Sequence, residues 1–236
     1  MSKLKPLYPH PAALLTERGE VILLIADLHI AFEEMFNLGS ADAEAGADGM
    51  LQELTTLITT HKPEHLYVIG DVKSRFDTIT RLEWKLVPQF LRTVSSKVKT
   101  TVIPGNHDGA LHYIAPKEVT LESSAGILVG DTGLLHGHAM PSDTLRNAAR
   151  LVIAHAHPTF HRPGSPLTGS PVWLFLKAPR ETVFQGSGSD LVELVVMPSF
   201  NRSLYSIGFS VQHEDTISPV LRRVQPDVTE GVIITL

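Results

Sequence analysis

The chain has 236 residues, 43% of them hydrophobic, with a formal net charge of -5 and no cysteine. That length can bury a substantial core, while the charge supplies no global basic field of the kind that drives non-specific nucleic-acid binding. The missing thiols exclude disulfides and thiolate metal ligands.

The N-terminal Met-Ser-Lys-Leu-Lys-Pro lacks the apolar centre of a signal peptide, and the longest apolar run, Val21 to Ala26, is too short to span a bilayer, so a cytoplasmic protein with no membrane partner is expected. Val21 to Ala26, following the turn signal Glu17-Arg18-Gly19, reads as a central strand covered on both faces, and it ends in Asp27-Leu28-His29. Residues 31 to 48, with Phe32, Met35 and Phe36 among acidic and small residues, are expected as a loop or short helix near a site. Leu51, Leu54, Leu57 and Ile58 then recur at helical spacing until Pro63. Leu66 to Ile69 is a second strand, ending in Gly70-Asp71, and Ile79, Leu82, Leu86, Phe90 and Val94 mark the apolar face of a helix that carries Pro88 as a potential kink. Thr100 to Ile103 is a third strand, stopping at Pro104-Gly105-Asn106-His107-Asp108. This alternation predicts right-handed crossovers and a largely parallel sheet, in which ligands bind beyond the carboxyl ends of the strands.

A short helix is expected near residues 109 to 115. Val119 to Leu121, Ile127 to Val129 and Leu134-Leu135 then read as a meander, running into His136-Gly137-His138. Ser142 or Asp143 is placed to cap a helix toward Ala149, and Leu151 to Ala154 is a strand ending in His155-Ala156-His157. Residues 161 to 171 are a loop, Trp173 to Leu176, Val183-Phe184 and Leu191 to Met197 are further strands, and Gln185 to Ser189 is a flexible turn. The last thirty or so residues, with Ile207, Val211 and Ile217 scattered among polar ones, carry no clear pattern. With no repeat of fixed period and no long linker, residues 1–236 are expected to form a single domain.

Five apolar segments thus end in Asp, Asn or His. Such groups packed together lack the apolar area that would offset their desolvation, and a divalent metal cluster supplies the compensation. Carboxylate, imidazole and amide oxygen suit manganese, iron, zinc or magnesium and argue against copper(I) or iron-sulfur chemistry. In Asp-x-His and His-x-His of extended chain the two side chains point the same way, so each pair can clamp one ion or reach two neighbours.

The ordered set Asp27-Leu28-His29, Gly70-Asp71, Gly105-Asn106-His107-Asp108, His136 and His155-Ala156-His157 resembles the calcineurin-like metallophosphoesterase superfamily, whose pattern is DxH, GDxxD, GNH[DE], H and GHxH. Glu33-Glu34, Gly70-Asp71-Val72-Lys73 and Met197-Pro198-Ser199-Phe200-Asn201 further resemble its small stand-alone ICC-like phosphoesterases of archaea and bacteria. The resemblance implies an α/β fold, a four-layer αββα sandwich of two mixed β-sheets, with a dinuclear centre at one edge. Carried over by position, Asp27, His29 and His157 would bind the first ion, Asn106, His136 and His155 the second, and Asp71 would bridge them. The cofactors implied are two divalent ions, manganese first, with iron, zinc, nickel and magnesium as alternatives. Such a pair polarises a phosphoryl oxygen and generates a hydroxide for in-line attack, with His107 stabilising developing charge or protonating the leaving oxygen. The expected substrate is a phosphodiester, either a nucleotide or DNA. The alternatives are a phosphomonoesterase acting on a small phosphorylated metabolite and a non-catalytic metallofold scaffold. A dimer is left open.

Three positions depart from the pattern. Ser74 stands where GDxxD has its second Asp, the residue that orients the GNH histidine in many relatives, leaving Asp77 or Ser74 through water as holders of His107. Ala154 replaces the glycine before His155, and no Arg follows Asp71 in the manner of the protein phosphatases. Of the remaining residues, His138 is read as a metal contact or as a donor holding a ligand, and Asp108 as a functional carboxylate or only a helix cap. Lys73 and Arg75 are read as a solvated pair rather than substrate contacts, His10, His61, His65, His112 and His213 as surface or packing residues, and Trp84 and Trp173 as core.

Overall fold

The computed structural model describes residues 2–36, 38–184, 190–205, 218–224 and 228–233. Two six-stranded sheets make up its centre. The first contains β1 (Lys3–Pro6), β2 (Ala13–Glu17), β3 (Glu20–Ala26), β4 (His65–Ile69), β5 (Lys99–Ile103) and β6 (Val119–Leu121) in that spatial order. The second is ordered β12-β10-β11-β9-β8-β7, built from β7 (Ile127–Val129), β8 (Thr132–Leu135), β9 (Arg150–Ile153), β10 (Val172–Pro179), β11 (Leu191–Val196) and β12 (Val228–Ile233). Both are mixed: β3, β4, β5 and β6 run parallel, as do β8, β9 and β11, and antiparallel strands flank them.

Helices α1 (Ser40–His61) and α2 (Arg81–Ser95) cover the outer face of the first sheet, burying Leu54, Leu57, Leu86, Phe90 and Val94 against Leu23, Ile25 and Val102. The inner faces meet through Leu24, Ile69, Ile103, Val152, Trp173 and Val195. Helices α3 (Arg180–Phe184) and α4 (Pro219–Arg223) close the far face of the second sheet over Val183, Phe184, Leu194 and Val220. Helix, sheet, sheet, helix is therefore the layer order, as the resemblance implies.

Strand register decides where the polar turns fall. Ala26, Ile69 and Ile103 are partners in one row across β3, β4 and β5, while Leu135, Ile153 and Val196 form a row across β8, β9 and β11. Strands that end level deliver those turns to one edge of the sandwich.

Several expected elements differ. Val119 to Leu121 does not open a meander but pairs parallel to β5, reached through the 3₁₀ turns Asn106–Asp108 and Leu111–Tyr113 that stand where a short helix was expected. The meander signal was the polar stretch after Leu121, which carries the chain to the second sheet instead. Val183 and Phe184 lie in α3, where burial at 1% and 5% exposure overrides their strand propensity. The helix expected toward Ala149 is a single turn, Asp143–Leu145. The α1 helix starts earlier than its apolar repeat, and α2 runs unbroken through Pro88. Trp173 is buried, but Trp84 is 54% exposed on the outer face of α2 and is not a core residue. Gln185 to Ser189, Ile207, Val211, His213 and Ile217 lie outside the described residues.

Candidate metal centre

The turns after β3, β4 and β9 leave the sheets through left-handed backbone. Asp27 (φ 54°), His29 (φ 40°), Asp71 (φ 48°), His155 (φ 67°) and His157 (φ 40°) all occupy the region that favours glycine. Residues hold such conformations only where their surroundings over-determine them, and here the effect is to turn five side chains toward one point. Glycine is required beside them: a Cβ at Gly70 would collide with the His136 ring, and one at Gly105 with the Asp71 carboxylate.

Asp27, Asp71 and His136 are fully or almost fully buried. Three groups could each hold an ion: Asp27 with His29 and His157, Asp71 with His136 and His155, and His29 with Asp71 and His107, their ligand atoms lying within 4.8 Å of one another in each group. Asp71 Oδ2 lies 3.6 Å from His29 Nε2 and 3.3 Å from His136 Nε2, and Asp27 Oδ2 lies 3.5 Å from His157 Nε2. Ligand atoms about 2.0–2.2 Å from a shared tetrahedral ion sit roughly 3.3–3.6 Å apart, which matches these gaps. Three buried atoms there, His29 Nε2, His157 Nε2 and Asn106 Oδ1, make no hydrogen bond to any described residue. Orphaned buried atoms of these ligating kinds fit a divalent metal pair.

Within the cluster the histidines answer the carboxylates. Burial opposes charging His136, but Asp71 and Asp27 override it and push its pKa up to about 10, and its Nε2 lies 3.0 Å from Asp27 Oδ1. Burial likewise opposes ionising Asp27 and Asp71. Even so, His157 and His136 hold Asp27 well below the usual carboxylate range, and His136, His29 and His107 do the same for Asp71. Burial is the leading cause that lowers His29 to about 3 and His155 to about 4, the latter helped by His136. Metal ions take the place of such protons on binding.

The supporting residues depart from the sequence reading. Asp108 does not cap a helix after Gly109: its carboxylate accepts the amide protons of Val72 (3.0 Å), Lys73 (3.2 Å) and Gly105 (2.9 Å), closing the 3₁₀ turn Asn106–Asp108 and tying the β4 turn to the β5 turn. Burial and the Asp71 charge push Asp108 up to about 7, against the pull of those amides. His138 faces the centre through a ligand candidate, its Nδ1 lying 3.0 Å from His136 Nδ1. Neither Asp77 nor the Ser74 hydroxyl holds His107; the Ser74 backbone carbonyl does, 2.5 Å from Nδ1. Lys73 is not solvated but wholly buried, its ammonium donating to the carbonyls of Arg75 and Thr78.

Sequence reasoning missed two groups. Glu83 at the start of α2 binds the turn after Asp71, a role signalled only by the capping-box spacing Thr80-x-x-Glu83. Ser199 and Asn201, noted only as part of a resemblance, brace the first turn: Ser199 Oγ donates to the Asp27 carbonyl at 2.7 Å, and Asn201 Nδ2 to those of Leu28 at 2.9 Å and His29 at 3.3 Å.

Among solved structures, a nuclease called MPE from Pseudomonas putida matches with a TM-score of 0.51 at 18% identity, over 85% of this chain and 88% of that one. YfcE, a phosphoesterase from E. coli, matches with a TM-score of 0.42 at 14% identity, over 91% of this chain and 99% of that one. A search of curated proteins returns no match. Among the described residues, no helix is long and apolar enough to cross a membrane. The sequence profile of the calcineurin-like phosphoesterases matches residues 21–191, a span that contains every strand-end residue gathered at the sheet edge, and the chain belongs to that family.

Proposed function

We propose that this chain is a dinuclear metal-dependent hydrolase of phosphodiesters, with a nucleotide or DNA as substrate. The observation that carries the proposal is the position of Asp71, whose Oδ2 lies within reach of both His29 Nε2, at 3.6 Å, and His136 Nε2, at 3.3 Å. On this reading Asp27, His29 and His157 hold one ion, Asn106, His136 and His155 hold the other, and Asp71 serves both, with manganese as the first candidate metal. Bound there, a metal pair supplies Lewis acidity for the phosphoryl oxygens and a nucleophile drawn from water.

The protein's own task is then positioning and proton transfer. His107 Nε2 lies 3.9 Å from Asp71 Oδ2 and the ring is partly exposed, so it can face a substrate and give a proton to the leaving oxygen. His138 fixes His136: with Nε2 turned to the carboxylates, the His136 Nδ1–H donates to His138.

Two features favour a diester over a monoester. A cavity of about 400 Å³ opens beside Asn106 and His138, and no described Lys or Arg lines it, so among the described residues no fixed cation is added there for the second charge of a phosphomonoester. Phe76, 65% exposed, stands edge-on to His107 with ring centroids 5.8 Å apart, offering an apolar face to a base or aryl group. The fold is also that of a protein named a nuclease, which puts DNA among the substrates to try.

The test is turnover of bis-p-nitrophenyl phosphate against p-nitrophenyl phosphate by manganese-loaded protein. Preference for the diester is expected. Turnover of the monoester alone would replace this reading with the phosphomonoesterase, and no turnover with any divalent ion would leave the scaffold.

A further inference from the structure

We infer that Glu83, on α2 and outside every ligand motif, positions His107 for the reaction by holding the turn whose Ser74 carbonyl accepts its Nδ1 proton. The side chain is wholly buried, and a buried carboxylate is costly unless its lone pairs are used. Glu83 uses them on backbone amides: Oε1 accepts from Ser74 N–H at 2.8 Å and Arg75 N–H at 2.7 Å, and Oε2 from Thr80 N–H at 2.8 Å. The Thr80 bond alone, with Thr80 Oγ accepting from Glu83 N–H at 3.1 Å, would complete the helix cap. The other two bonds exceed what a cap needs.

The same turn is held from its other sides. The Lys73 ammonium donates to the Thr78 carbonyl at 3.0 Å and to that of Arg75, while Asp108 accepts the Val72 and Lys73 amides. The Ser74 hydroxyl turns away, 3.6 Å from Met35 Sδ. With amides and neighbouring carbonyls engaged, the Ser74 carbonyl is left to meet His107 Nδ1 at 2.5 Å. A carbonyl only accepts, so Nδ1 keeps its proton and Nε2 is the nitrogen left facing the site, where a proton can be taken up and passed on. A neutral backbone oxygen, aimed by a glutamate nine positions along the chain, thus does the orienting that the Asp missing at position 74 would do.

This inference rests on the proposal that His107 serves the reaction, so the test includes a readout that does not need turnover. Metal-free protein carrying ¹⁵N-histidine reports by NMR which nitrogen of His107 bears the proton. Glu83→Asp keeps the charge and a capping residue but draws the carboxylate back from the Ser74 and Arg75 amides, and Glu83→Ala removes it. Thr80→Ala weakens the cap without touching those amides. Both Glu83 variants are expected to lose the uniform Nδ1–H signature and to drop kcat about ten-fold or more. KM and metal stoichiometry should stay within about two-fold. Thr80→Ala should lower Tm yet keep the tautomer and kcat. An unchanged tautomer and kcat in Glu83→Asp and Glu83→Ala would overturn the inference, as would an equal loss in Thr80→Ala, which would reduce Glu83 to a cap. If wild type turns over no phosphoester but the tautomer still follows Glu83, the proposed function fails and the positioning stands.

Discussion

The Asp71 carboxylate, at the end of a strand in the first sheet, lies 3.3 Å from the His136 imidazole, at the end of a strand in the second. One carboxylate thereby reaches candidate ligands of both sheets. If Asp71 bridges two ions, Asp71→Asn should lose metal, one ion or both, when the purified protein is measured by inductively coupled plasma mass spectrometry. Unchanged metal content with full activity would contradict the bridge.

Chelation should lower Tm. Ions that bind the folded chain and not the unfolded one stabilise by about 2.7 kcal/mol at a hundred-fold excess over Kd, and the orphaned His29, His157 and Asn106 atoms are the groups that would gain partners. Calorimetry with and without manganese measures the shift; an unmoved Tm would argue against a metal at this edge.

His107→Ala should retain the metals and lose turnover by about 10²–10⁴-fold, the usual contribution of a positioned proton donor. Its ring belongs to one of the three clusters that could hold an ion, so metal content is the deciding measurement. A His107→Ala protein free of metal would make His107 a ligand instead.

Phe76→Ala should leave Tm unchanged, because the ring is 65% exposed. If the ring carries a base or aryl group, KM for bis-p-nitrophenyl phosphate should rise several-fold, by about 1 kcal/mol of lost binding, with kcat little altered. Equal KM for both proteins would remove Phe76 from the substrate site.

Far from the centre, His65 shapes acid stability. Burial, with help from Lys99, lowers its pKa to about 4, and its Nε2 lies 2.8 Å from the Thr101 hydroxyl. The unfolded chain takes up this proton near pH 6.5 and the folded chain only near pH 4, so stability falls as pH drops through that window, by on the order of 2–3 kcal/mol. His65→Gln should flatten the difference in Tm between about pH 7 and pH 4.5; an identical pH slope in the variant would disprove it.

The edge of the sandwich was legible in the sequence because apolar runs ending in Asp, Asn and His are themselves the anomaly. Asp27, Asp71, Asn106, His107, His136, His155 and His157 come together because Ala26, Ile69, Ile103, Leu135 and Ile153 end level in register. What was illegible depends on backbone groups that no side-chain pattern encodes. Lys73 is buried among carbonyls and Glu83 among amides, and the atom that holds His107 is a main-chain oxygen. Charged residues next to a site read as solvated until the turn that encloses them is known. Likewise β6 and α3 were misread because packing, not local composition, decided them.

The left-handed backbone at five of the converging residues has a consequence for how this chain tolerates change. Each non-glycine residue there holds a conformation costing of order 1–3 kcal/mol. Glycine at Asp27, His155 or His157 would relax the main chain while erasing the chemistry. Around its centre, the molecule is therefore tuned for aim at the expense of comfort: selection for a sturdier fold alone would dismantle the site first.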